Sequence, residues 1–113
     1  MNYVVVLGGG ESGVGTALLA KNYGLDVFLS DNGSIGSKYR EVLLHNEISF
    51  EENGHTKSLI ERADVVMKSP GIPDHIPLIT ALKAKNIPVI SEIEFASRFA
   101  TGTVIGITGS NGK

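Results

Sequence analysis

The sequence predicts an α/β fold: a Rossmann-like, doubly wound parallel sheet of about five strands with helices on both faces. Three observations carry this. Short apolar runs alternate with amphipathic stretches along nearly the whole chain. The runs are continuously apolar and rich in β-branched residues, as strands covered on both faces are. A glycine cluster, Gly8-Gly-Gly10-Glu-Ser-Gly13, stands where the first such run gives way to the first amphipathic stretch.

Residues 3–7, Tyr-Val-Val-Val-Leu, are too few and too β-branched for a helix and read as a buried strand. A helix follows over residues 14–23, stopped by Gly24. Residues 25–30 form the second strand, and residues 37–46 a helix with Tyr39, Val42, Leu43 and Asn46 near one face. A weak strand over 48–50, a short helix over 58–63 and a strand over 64–68 come next. Residues 69–77 hold three prolines and a glycine and must be a loop. A helix over 77–86, a strand over 88–90, a helix over 92–100 and a last strand over 103–107 complete the alternation. There is no internal repeat and no low-complexity tract.

With 113 residues, 42% of them hydrophobic and 19% charged, the chain can bury one core. A net charge of −2 argues against an electrostatic grip on nucleic acid. No run approaches the roughly 18 apolar residues of a membrane span, and Met1-Asn-Tyr-Val does not begin a secretory signal. The absence of cysteine excludes disulfides and thiol chemistry and fits a reducing compartment.

In a doubly wound sheet, ligands bind at the carboxyl ends of the strands. The glycine cluster lies at one such end. Gly8 permits a tight turn, Gly10 lets backbone approach a phosphate, and Gly13 lets the helix pack close on the sheet, while the helix N-terminus offers free N–H groups to a diphosphate. The same cluster also suits a plain tight corner. Glu11 is expected to face solvent, since a carboxylate would repel a diphosphate, and Ser12 can donate to phosphate or cap the helix, two compatible roles. Asp31 ends the second strand, where an acidic residue meets a ribose in dinucleotide folds; it equally suits a turn before Asn32-Gly33. Ser69-Pro-Gly71-Ile-Pro73 ends the fourth strand on the same edge, as a second wall of a cleft or a rigid connection.

Thr108-Gly-Ser-Asn-Gly-Lys113 reads as a phosphate-cradling loop interrupted in mid-motif. Its glycines turn N–H groups onto phosphate and Lys113 reaches the outer phosphates, but the Ser or Thr that would hold Mg²⁺ does not follow. Ile107 stands where the strict pattern has glycine, with Gly106 one residue early. The histidines at 45, 55 and 75 lack metal-ligand spacing and read as surface residues. Glu92 and Glu94, two apart on a helix, make a poor catalytic pair and read as a solvated first turn. No metal site is expected.

Taken in order, Leu7-Gly-Gly-Gly-Glu-Ser-Gly13, Asp31, Ser69-Pro-Gly-Ile-Pro73, Ile87-Pro-Val-Ile-Ser-Glu-Ile-Glu-Phe-Ala96 and Gly106-Ile-Thr-Gly-Ser-Asn-Gly-Lys113 resemble the ATP-dependent Mur ligases of peptidoglycan synthesis. The resemblance covers the whole chain. The segments at 69–73 and 92–96 resemble the branch that adds D-glutamate. The resemblance implies a cytoplasmic bacterial enzyme, a monomer, with three domains for the UDP end, ATP and the amino acid. Residues 1–93 would be the UDP-substrate domain, and residues 94–113 the opening of the ATP-binding one. In the family's reaction ATP phosphorylates the L-alanyl carboxylate of UDP-N-acetylmuramoyl-L-alanine, and the amine of D-glutamate displaces the phosphate.

Carried over, Gly10, Glu11, Ser12 and Gly13 would hold the diphosphate and flank the uracil, and Asp31 and Asn32 would meet the uridine. Ser69, Pro70 and Gly71 would line the muramoyl side, with Asn111 approaching the substrate. Gly109, Ser110, Asn111, Gly112 and Lys113 would bind ATP. Glu11 and Asn32 depart from the apolar and hydroxyl residues common in the family. ATP and Mg²⁺ are expected for the parent enzyme, whereas these residues alone are expected to be inactive and to keep no cofactor. Two other classes fit parts of the sequence. A nicotinamide-binding oxidoreductase or sensor domain explains the glycine cluster and Asp31 but neither the 69–73 nor the 109–113 segment, and a noncatalytic module would keep the fold without a ligand.

Overall fold

A computed structural model of the chain describes residues 2–73 and 75–100, and the side chains of these up to residue 98. The predicted strand at 103–107 and the phosphate loop at 109–113 lie outside the described residues.

Five parallel strands, β1 (Tyr3–Leu7), β2 (Asp26–Ser30), β3 (Ser49–Glu51), β4 (Val65–Lys68) and β5 (Val89–Ser91), form one sheet in the order β3-β2-β1-β4-β5. The helices α1 (Glu11–Asn22), α2 (Ser37–His45), α3 (Lys57–Ile60), α4 (Pro77–Ala84) and α5 (Glu92–Ala100) alternate with them. Each strand's two-residue period sorts its side chains between two cores. Val4 and Val6 join Val27, Leu29 and Met67 under α1, α2 and α5, whereas Val5 and Leu7 join Phe28, Val66, Ile60, Ile79 and Leu82 under α3 and α4. The sheet is thus covered on both faces, as expected. The strand order reverses direction at β1, so a crevice opens beyond the carboxyl ends of β1 and β4.

Element limits depart from the sequence reading where glycine or tertiary packing decides them. α1 starts at Glu11, three residues earlier than expected, because Gly13 and Gly15 are tolerated inside the helix. Gly24, with φ of +82°, ends it as expected. α3 shrinks to Lys57–Ile60, and α4 ends at Ala84 with Pro77 in its first turn.

Asp64 ties the start of β1 down. Its Oδ2 accepts from the N–H groups of Asn2 and Tyr3 at 2.8 and 2.9 Å, and these bonds hold its carboxyl below the usual range. At the other end, α5 follows β5 without a loop, and Phe95 is fully buried in the α1-side core. The helix that the sequence reading divided at residue 93 therefore packs on this sheet.

Candidate functional site

The carboxyl ends of β1, β2 and β4 enclose a cleft of about 590 Å³. A second hollow of about 560 Å³ lies near the opposite end, among Tyr3, Asp26, Lys21 and Arg62. Parallel doubly wound sheets bind at the carboxyl end, which makes the first the candidate site.

Its central wall is the glycine loop. Gly8 takes φ of +110°, turning the chain sharply as β1 ends, and its N–H still bonds to Ser30 O at 2.9 Å. A Cβ at Gly13 would stand 1.9 Å from Gly8 O, so only glycine lets α1 come this close to the strand. Among the described residues, nothing stands within 4 Å of a Cβ at Gly10, which faces open space. The first N–H to bond back along α1 is that of Val14, to Gly10 O at 2.9 Å. The N–H groups of Glu11, Ser12 and Gly13 precede it and form the anion-attracting end of the helix. Glu11 is exposed, as expected. Of the two roles open to Ser12, capping is set aside: Gly10 is the cap residue, and Ser12 is already helical.

Asp31 does more than the sequence suggests. Its Oδ2 accepts from Gly9 N–H at 2.7 Å and its Oδ1 from Gly33 N–H at 2.8 Å, so the carboxylate braces the glycine loop against the turn after β2. A carboxylate has about four acceptor positions, which leaves two for a ligand. Ile35 wedges beneath the same loop, 2.8 Å from where a Cβ at Gly9 would be.

Gly10, Asp31, Asn32, Ser69 and Gly71 line the one cleft, together with Gly8 and Gly9. Glu11, Ser12, Gly13 and Pro70 do not line it, and Asn111 and the 109–113 segment lie outside the described residues. Ile72, Pro73 and Leu78 give the far wall an apolar surface. Lys68 reaches beneath that wall, donating to Ile72 O at 2.7 Å. The lining, among the described residues, includes neither Lys nor Arg.

Two sequence expectations are corrected. Of the three histidines, His45 and His75 are exposed, but His55 is half-buried and lines the cleft, with Nδ1 2.6 Å from the buried Ser30 Oγ. Burial pushes its pKa below the usual histidine value, against the opposing charges of Glu51 and Asp31. Metal-ligand spacing was the wrong signal for it; its place just beyond the carboxyl end of β3 was the right one. Glu92 is not solvated either. It is 6% exposed, with Oε2 unpartnered among the described residues and 3.4 Å from a Cβ position at Gly13, because α5 starts directly on β5 and turns that side chain toward α1. Glu94 does face solvent and pairs with Arg98 at 2.9 Å. Among the described residues, no cluster of three or more His, Asp or Glu side chains could hold a metal ion.

With this geometry in view, residues 4–76 match the family described as the MurD N-terminal domain. The chain belongs to that family. A MurD-type N-terminal domain accounts for the topology, the glycine loop and the second cleft wall together. The chain is 66% identical over 110 residues to the UDP-N-acetylmuramoylalanine–D-glutamate ligase of Christiangramia forsetii, covering 97% of this chain and 25% of that protein. It is 54% identical over 113 residues to the ligase of the same name from Bacteroides thetaiotaomicron, covering all of this chain and 26% of that protein. The chain thus spans about a quarter of the length of these relatives. A murein peptide ligase from Psychrobacter arcticus shares the fold with a TM-score of 0.77 at 23% identity, over 87% of this chain and 20% of that one. UDP-N-acetylmuramate-alanine ligase from Thermotoga maritima does so with a TM-score of 0.72 at 21% identity, over 88% and 22%.

Proposed function

We propose that this MurD-type domain binds the UDP end of UDP-N-acetylmuramoyl-L-alanine, on behalf of a ligase that joins D-glutamate to that precursor in the bacterial cytoplasm. The observation that carries the reading is the glycine loop. It combines a glycine-only contact at Gly13, open space above Gly10 and free helix N–H groups, and it opens on the same cleft as Asp31, Asn32, Ser69 and Gly71.

In this reading the diphosphate lies against the start of α1, the uridine toward Asp31 and Asn32, and the muramoyl group along Ser69, Pro70 and Gly71. Since the cleft lining includes no Lys or Arg among the described residues, these hold the diphosphate through backbone N–H groups and the helix dipole. In the parent enzyme ATP and Mg²⁺ supply the activation of the L-alanyl carboxylate, with Gly109, Ser110, Asn111, Gly112 and Lys113 at ATP. The described residues contribute binding and orientation, which present that carboxylate to the neighbouring domains. The assignment of residues 1–93 to the UDP-substrate domain and of 94–113 to the opening of the ATP-binding one, with α5 of that second segment packed on this sheet through Phe95, and the monomeric state belong to the same proposal. No helix among the described residues is long and apolar enough to cross a membrane.

Titration of the ¹⁵N-labelled chain with UDP-N-acetylmuramoyl-L-alanine and, separately, with NAD tests the reading by NMR. Shifts from the muramoyl nucleotide centred on Gly8 to Gly13, Asp31 and Ser69 to Gly71 are expected. Shifts from NAD alone would make the domain a nicotinamide binder. By itself the chain is expected to release no phosphate from ATP in response to substrate, and a phosphate-release assay checks this.

A further inference from the structure

The connection between β3 and α3 carries a chain of polar contacts that the glycine loop does not use. Ser30 ends β2 fully buried, with Oγ 2.8 Å from Glu51 Oε2 and 2.6 Å from His55 Nδ1. Glu51 also accepts from the N–H and hydroxyl of Thr56. Burial works against ionisation of its carboxyl, but the bonds from Thr56 and Ser30 and the charge of His55 outweigh it and keep the group below the usual range. Glu51 is therefore a carboxylate that can only accept.

A hydroxyl has a single proton to give. With Glu51 as an obligate acceptor, the Ser30 proton goes to Oε2, and Ser30 Oγ accepts in turn from Nδ1–H of His55. The imidazole is thereby fixed with its proton on Nδ1. Its other nitrogen, Nε2, has no hydrogen-bond partner among the described residues, and the ring lines the cleft beside Asp31 and Asn32. In the neutral ring that Nε2 is an acceptor.

We propose that His55 is a ligand-contacting residue whose Nε2 accepts a hydrogen bond from the bound nucleotide, from either the imide N–H of its base or its ribose 2′-hydroxyl. An ionised diphosphate has no proton to offer, so this contact reads the nucleoside end. The inference rests on the reading of the cleft as the UDP-precursor site. It adds to Asp31 and Asn32 a residue held by a relay of its own, Glu51 to Ser30 to His55, anchored on two adjacent strands.

Two substitutions separate the ligand role from a purely structural one. Asparagine at 55 keeps an atom near Nδ1 for Ser30 and removes Nε2, while glutamine keeps an atom near Nε2 and gives up the Ser30 contact. Affinity for uridine diphosphate, read by NMR titration of the chain, is expected to fall about tenfold in His55→Asn and to stay within about threefold in His55→Gln. Long-range ¹H–¹⁵N correlation of the imidazole is expected to show the proton on Nδ1. The reverse order of the two variants, or a proton found on Nε2, overturns the inference.

Cytidine diphosphate lacks the imide N–H and 2′-deoxyuridine diphosphate lacks the hydroxyl. Whichever analogue binds the wild-type chain about tenfold more weakly but His55→Asn no more weakly identifies the donor, and if neither does, the inference fails. A wild-type glycine loop that responds to neither uridine diphosphate nor the full precursor overturns the reading of the cleft as well. A responsive loop with an indifferent His55 overturns this inference alone.

Discussion

Gly13 and Gly8 are in backbone contact across the turn from β1 to α1: a Cβ on Gly13 would stand 1.9 Å from the Gly8 carbonyl oxygen. No side chain can yield to relieve that overlap, because both parties are main chain. Gly13→Ala is expected to destabilise the chain by about 3 to 5 kcal/mol, in the range reserved for severe steric mechanisms. Gly10→Ala meets nothing within 4 Å and is expected to change stability by no more than about 0.5 kcal/mol while weakening nucleotide binding. Urea unfolding of both variants, with binding measured on the folded one, checks the contrast.

Asp31 has a structural and a binding role. Removing its carboxylate strands the Gly9 and Gly33 N–H groups, so Asp31→Ala is expected to lower stability by about 2 kcal/mol in addition to weakening binding. Thermal unfolding followed with and without uridine diphosphate separates the two effects, and an unchanged melting temperature in the free variant would contradict the bracing role.

Acid should weaken the fold in two stages. His55 titrates below its ordinary value of 6.5 when folded, so the contribution of its neutral ring is complete above that pH and is lost as pH falls through the folded value. Glu51, also depressed, keeps its contribution above its ordinary 4.5 and loses it at still lower pH. Denaturant unfolding from pH 7 downward is expected to show a first decline beginning near 6.5, and that decline should be flattened in His55→Phe.

Glu92 is a buried carboxylate with an oxygen unpartnered among the described residues, an arrangement that costs roughly 1–3 kcal/mol. Glu92→Met fills similar space without the polar atoms and is expected to raise the stability of this chain by about 1 kcal/mol. A lowered denaturation midpoint would indicate that the carboxylate is stabilising where it lies.

The sheet was legible in the sequence because its strands are continuously apolar and β-branched, a pattern that depends on local composition alone. Gly13 was legible for the same kind of reason: its place in a strand-to-helix turn announces close packing. What could not be read were side chains whose roles depend on which strands become neighbours. His55 and Ser30 are 25 residues apart, and nothing local indicates that β2 and β3 pair so as to bring them within hydrogen-bond reach. Glu92 misled for a similar reason. A carboxylate in a first helical turn normally faces water, and only the loop-free passage from β5 into α5 turns this one toward Gly13.

The position of β1 in the middle of the sheet bears on how the chain acquires its fold. Val4 to Leu7, all fully buried in the end, need β2 on one side and β4 on the other, and β4 ends at residue 68. On a ribosome this apolar, β-branched segment emerges before the rest of the sheet and waits longest for its second neighbour. The order of synthesis thus runs against the order of burial, and until β4 arrives one edge of β1 is open to pairing with another chain.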